Sequence, residues 1–148
     1  MRKRRAGLDE RDRRGAAAGL YTETAKDAVY EALLERAAAV LDGGRVAILD
    51  ATHAKQRHRD AAIAFAHSRG IRVAIVEVVC HAATARARLA RRAARGTDAS
   101  DAGPDDYERS VGEFEAIAHR AGVPVHRIAT DAPRWRRGLA AWVRTLDR

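Results

Sequence analysis

Three short apolar runs, each bounded by turn signals, constrain this chain more than any other feature. They are "RVAILD" (45–50), "IRVAIVEVVC" (71–80) and "VPVHRIAT" (123–130). The second is rich in β-branched residues and almost continuously apolar, which is how a strand covered on both faces reads. Segments of helical spacing separate the three runs. Strands that alternate with helices are joined by crossovers and build a parallel sheet. The expected fold is therefore α/β, with about three strands in a parallel sheet. A parallel sheet needs both faces covered, and so few strands leave the fold incomplete on its N-terminal side.

The helices follow from the same reading. Thr22 is a plausible N-cap, and Ala25, Val29, Ala32, Leu33, Arg36 and Val40 keep helical spacing until Asp42-Gly43-Gly44. Ala61, Ala62, Ile63, Phe65 and Ala66 supply the apolar positions of a second helix that closes at Gly70. "HAATARARLARRAARG" is helical by propensity and ends at Gly96. "TDASDAGPDD" reads as a turn-rich loop. Pro104 then suits the first turn of a helix running through Phe114, Ile117 and Ala118 to Gly122. Asp131 is expected to cap a last helix with Trp135, Leu139, Trp142 and Leu146 on one face. Residues 1–20 are charged and interrupted by glycine, an irregular or frayed entry to a single partial domain over 1–148. No repeat or low-complexity linker divides the chain.

Bulk composition narrows the function classes. At 148 residues the chain suits one domain with a real core. Much of its 47% hydrophobic content is alanine and only 5% is aromatic, so that core should be thin. The formal net charge of +8 suits an anionic partner such as a nucleotide, a nucleic acid or an acidic protein. Cys80 is the only cysteine, which excludes an intrachain disulfide and a cysteine metal cluster and fits a reducing cytoplasm. No apolar run approaches the ~20 residues that span a bilayer. "MRKRR" has the charge of a signal-peptide head, but "AGLDERDRRG" follows it in place of an apolar region, so secretion and a membrane location are not expected.

Asp50 leads the residues that can carry chemistry. Ligands bind at the carboxyl ends of strands in open α/β sheets. A carboxylate there can hold a magnesium ion, directly or through water, that bridges phosphate oxygens. The alternative is a turn or capping aspartate before the next helix. Thr52 either supports the same site or caps that helix. Arg88, Arg91, Arg92 and Arg95 share one helix face at i, i+3, i+4 and i+7, with Arg86 nearby. Such a stripe either neutralises charge on a transferring phosphoryl group or is a solvated face. "THAKQRHR" (52–59) either contacts an acceptor or forms the polar first turn of a helix. His53 and His58 have no zinc-ligand spacing with other donors. Ser68, Ser100 and Ser110 lack a nucleophile elbow, which sets aside acyl-transfer hydrolysis. The phosphate-loop pattern G-x-x-x-x-G-K-[ST] occurs nowhere in the chain. Gly43-Gly44 precedes a strand, whereas a phosphate loop follows one and opens a helix.

The ordered set "YTETAKDAVYEALLERAAAVLDGGRVAILDAT", "QRHRDAAIAFA" and "VVCHAATARARLARRAARGTDASDA" resembles the P-loop small-molecule and polynucleotide kinase-like family. That family is grouped with zeta-toxin and gluconate kinases, and bacterial members are often termed AAA family ATPases. The resemblance covers nearly the whole chain. It implies a three-layer P-loop NTPase-like fold, ATP and Mg2+ as cofactors, and phosphoryl transfer to a hydroxyl acceptor. Asp50 then matches the Walker B-type aspartate that supports magnesium through water, and Thr52 belongs to the same "DAT" signature. Arg57 matches the arginine of "QR", and Arg88 and Arg92 match the lid arginines over the phosphates. Arg2 matches an arginine that holds substrate or phosphate three residues after the catalytic aspartate.

By that alignment the catalytic aspartate, the first strand and the phosphate loop would precede Met1. The first strand of the family sheet lies between the "RVAILD" and "IRVAIVEVVC" strands, so this sheet is expected to lack its centre. A late-called start codon or a gene truncation is the expected origin, and the isolated chain is expected to be nearly inactive. Two other expectations stand beside this one. The first is a basic nucleic-acid-binding protein, which has no aromatic stacking platform in its favour. The second is a non-catalytic interaction protein that self-associates through open strand edges.

Overall fold

The computed structural model describes residues 22–95 and 104–146. The irregular entry expected over 1–20, Arg2, and the loop carrying Asp98, Ser100 and Asp101 lie outside the described residues. Among the described residues the architecture is mixed α/β, with a two-stranded parallel sheet and five helices.

Helix α1 spans Glu23–Asp42. Thr22 caps it as its sequence predicts, its Oγ1 accepting the Ala25 N–H at 3.2 Å. Gly44 at φ +69 ends it, a left-handed conformation that favours glycine. Helix α2, Gln56–Ser68, packs against α1 and buries Ile63 and Ala66. Its first residue has no cap from its own sequence neighbours. Glu115 supplies one from afar, its carboxylate accepting the Gln56 N–H at 2.6 Å.

Strand β1, Ile75–Val79, pairs in parallel with β2, Val125–Ala129, with Ile75 beside Val125 and Val79 beside Ala129. Helix α3, Ala82–Arg95, and helix α4, Pro104–Glu113, lie between them in sequence and contact each other. Helix α5, Trp135–Leu146, packs back on β2, where Trp142 stacks on His126 at 4.7 Å. The buried apolar set is Ala32, Ala37, Ile63, Ala66, Val123 and Ile128. Three of the six are alanine, so the core is as thin as the composition implies.

Three expectations need correction. "RVAILD" joins no ladder among the described residues, where the sheet has two strands and not three. Its side chains keep the two-residue alternation of a strand, with Val46 and Ile48 each 86% exposed and Ala47 and Leu49 half-buried. A strand is defined by a neighbour's backbone, and none lies beside this segment among the described residues. The helix expected to reach Gly122 stops at Glu113. Residues 114–120 instead run beside the start of α2, where Glu115 N–H donates to the Ala54 carbonyl at 2.9 Å. Asp131 does not cap the last helix. Its carboxylate accepts the His81 N–H at 2.7 Å and ties the exit of β2 to the start of α3.

Candidate functional site

Asp50 ends the unladdered segment and opens a turn through His53. Its side chain is exposed and makes no hydrogen bond or ion pair with any described residue. The turn behind it is held from α1 by Tyr30. The Tyr30 hydroxyl accepts the His53 N–H at 2.9 Å and shares a 3.2 Å hydrogen bond with Thr52 Oγ1. His53 sits at φ 43, a left-handed conformation that costs a non-glycine residue energy and persists only where its surroundings fix it. Desolvation pushes the His53 imidazole below the usual histidine range, with the Leu49 carbonyl opposing as a hydrogen-bond acceptor.

Tyr30 is itself fixed. Its ring stacks on His58 at 3.8 Å, and His53 lies 4.9 Å away on a tilted ring. His58 is buried, and its Nε2 faces Asp27 Oδ1 at 2.6 Å, so that nitrogen carries the donor hydrogen. His58 Nδ1 is a buried polar atom without a hydrogen-bond partner among the described residues. Asp27 also takes Arg57 Nη2 at 2.8 Å, and its carboxyl is held below the usual range first by His58 and then by Arg57. Arg57 bonds Glu23 at 2.7 Å as well, and Lys26 bonds Glu23 at 2.8 Å. Glu23 is lowered to about 2 by these cations, Lys26 first.

Arg59 anchors the far side of the turn. It is 4% exposed, and its guanidinium donates to the carbonyls of His53, Ala54, Glu115 and Ala116 and to Gln56 Oε1. Among the described residues it has no carboxylate partner within ion-pair distance. Its charge is met by carbonyl dipoles, and the Phe114 ring lies 5.4 Å from it.

The remaining candidates fall elsewhere. Arg88 lies on α3 and donates to Thr130 Oγ1 at 2.8 Å and to the Thr130 carbonyl at 3.0 Å. Thr130 in turn bonds the Val79 carbonyl, so Arg88 is anchored to the ends of both strands. Arg92 is half-buried one turn further along the same helix. Arg86 pairs with Glu108, while Arg91 and Arg95 are exposed and form no ion pair among the described residues. The fold therefore places Asp50 and Thr52 in one turn and braces that turn with Tyr30 from α1. It commits Arg57 to α1 and brings Arg88 into no contact with Asp50. In "THAKQRHR" only Thr52 and Arg57 are exposed, since Lys55 and Gln56 are engaged with Glu115 and His58 and Arg59 are buried. Sequence reasoning missed Tyr30. A hydroxyl-bearing aromatic on the half-buried side of α1 was the available signal.

The donor set bears on the metal question. Among the described residues no group of three or more His, Cys, Asp or Glu is gathered to hold an ion. A single open carboxylate does suit magnesium, which keeps several waters and takes one or two carboxylates with substrate phosphates.

A family model described as an AAA domain matches residues 1–117, well over half of the chain. The chain belongs to that family, a P-loop NTPase-like kinase domain. No curated protein and no solved structure matches it. Among the described residues no helix is long and apolar enough to cross a membrane.

Proposed function

We propose that this chain carries the magnesium side of an ATP-dependent kinase domain that transfers a phosphoryl group from Mg-ATP to a hydroxyl acceptor. The observation that supports the reading most is the Asp50 carboxylate, exposed and without a partner among the described residues at the head of a braced turn. Asp50 holds the ion through water, and Thr52 borders it. Arg88 and Arg92 supply cations against charge developing on the moving phosphoryl group. Arg2 serves the acceptor side, and Arg57, bonded to Glu23 and Asp27, would do so only by leaving those partners. The single free cysteine, Cys80, accords with a reducing cytoplasm.

The 148-residue chain alone turns over little or no ATP, because its sequence contains no G-x-x-x-x-G-K-[ST] cradle for the phosphates. Lid arginines do not replace backbone N–H groups aimed at the β- and γ-phosphates. Two measurements on the purified chain test this. Manganese titration by calorimetry should give binding that Asp50→Asn abolishes, and binding that survives the substitution removes the metal role. ATP turnover should stay at the buffer rate. Robust turnover that disappears in Asp50→Ala contradicts the claim of inactivity.

A further inference from the structure

We propose that Tyr30 is the positioning residue of the Asp50 turn, acting through its hydroxyl on Thr52 and His53. The inference rests on the metal reading of Asp50 and adds to it the residue that sets the carboxylate's place. Among the described residues, 45–50 have no ladder to fix the end of the segment, and the contacts seen hold the turn from its other side. Two groups do this. Arg59 Nη1 bonds the His53 carbonyl at 2.6 Å, and the Tyr30 hydroxyl bonds the His53 N–H at 2.9 Å. Between them they keep His53 at φ 43.

Arg59 also organises residues 114–116, so its loss disturbs the fold broadly. The Tyr30 hydroxyl is separable, because phenylalanine keeps the ring against His58 and removes one oxygen. Ring and hydroxyl have different tasks. The ring, stacked on a histidine that Asp27 pins, fixes where the oxygen sits. The oxygen then fixes Thr52 and His53, two and three residues beyond Asp50. Without it the His53 amide loses its acceptor, His53 relaxes from the left-handed region, and the backbone that places Asp50 loses its support on that side. A second-sphere group of this kind typically changes metal affinity by about 10- to 100-fold.

The test compares the full chain with its Tyr30→Phe variant, using manganese alone as the probe and amide hydrogen exchange at His53 as a second readout. The expected result is manganese affinity about 10-fold weaker, faster His53 exchange and an unchanged far-ultraviolet circular dichroism spectrum. Equal affinity in both proteins overturns the proposal. If the unsubstituted chain binds no manganese, the metal reading of Asp50 fails, and exchange decides the Tyr30 role: unchanged His53 exchange overturns it and faster exchange sustains it as the turn's anchor. If Tyr30→Phe does not fold, Thr52→Val removes the shared hydroxyl from the other side, and unaltered manganese binding and His53 exchange there overturn the proposal.

Discussion

Two irregular stretches lie on either side of the Asp50 turn, and they are ordered by opposite means. Around Arg59, residues 53–55 and 114–116 form no regular structure, yet one buried guanidinium reaches four of their carbonyls. Residues 45–50 have the more regular sequence, but Val46 and Ile48 face outward and no backbone among the described residues pairs with them. An irregular loop can be completed by a single side chain that brings enough donors. A strand needs a second backbone, and no side chain within it can substitute.

The largest expected effect follows from the first stretch. Arg59→Ala removes a buried guanidinium that donates to the carbonyls of His53, Ala54, Glu115 and Ala116, of which Ala54 keeps the Glu115 N–H, and should destabilise the chain by about 3 kcal/mol in urea unfolding. A loss below about 1 kcal/mol would mean that water replaces the guanidinium, and the contrast with residues 45–50 would collapse. Next comes a matched pair of isoleucines. Ile63→Ala, at 8% exposure, should cost roughly 2 to 4 kcal/mol through lost transfer energy and a cavity. Ile48→Ala, at 86% exposure, should fall within about 0.5 kcal/mol. Equal losses would show that residues 45–50 are covered in solution.

The smallest effect is pH-dependent. Glu23, Asp27, Asp60, Glu115 and Asp131 all have carboxyls lowered by cations or N–H donors in the folded chain. The unfolded chain binds more protons than the folded one as these groups titrate, so stability is present above the ordinary carboxylate range and is lost as pH falls. For Glu23 the window runs from 4.5 down to about 2. His53 adds a loss at higher pH, because the unfolded imidazole takes up a proton near 6.5 that the folded one resists. Thermal melting followed from pH 7 to about 2 should therefore decline monotonically, and Glu23→Gln should flatten its acid limb.

Local signals were legible in the sequence. The Thr22 cap, the Gly43-Gly44 stop, the β1 and β2 runs and the aromatic face of α5 all depend on residues a few positions apart. What escaped depends on partners far away. Phe114 to Ala118 have helix-compatible residues, but Glu115 is drawn to the open N-terminus of α2 and Arg59 takes the Glu115 and Ala116 carbonyls. Asp131 sits where a cap belongs, yet the His81 N–H is the donor it meets. For the site, Asp50 and Thr52 could be read from the end of an apolar run. Tyr30 showed only as an aromatic on α1, because its importance comes from a stack and a hydrogen bond that join residues more than twenty positions apart.

The outward row of Val46 and Ile48 also makes the chain's colloidal behaviour a matter of ionic strength. A net charge of +8 holds copies apart at low salt, where fields extend beyond the width of a side chain. At about 1 M salt the screening length shrinks to ~3 Å, and mutual repulsion fades while water's rejection of the valine and isoleucine does not. Light scattering should then rise with added salt and fall back in a Val46→Lys variant, since Val46 and Ile48 are the most exposed of the large apolar side chains among the described residues.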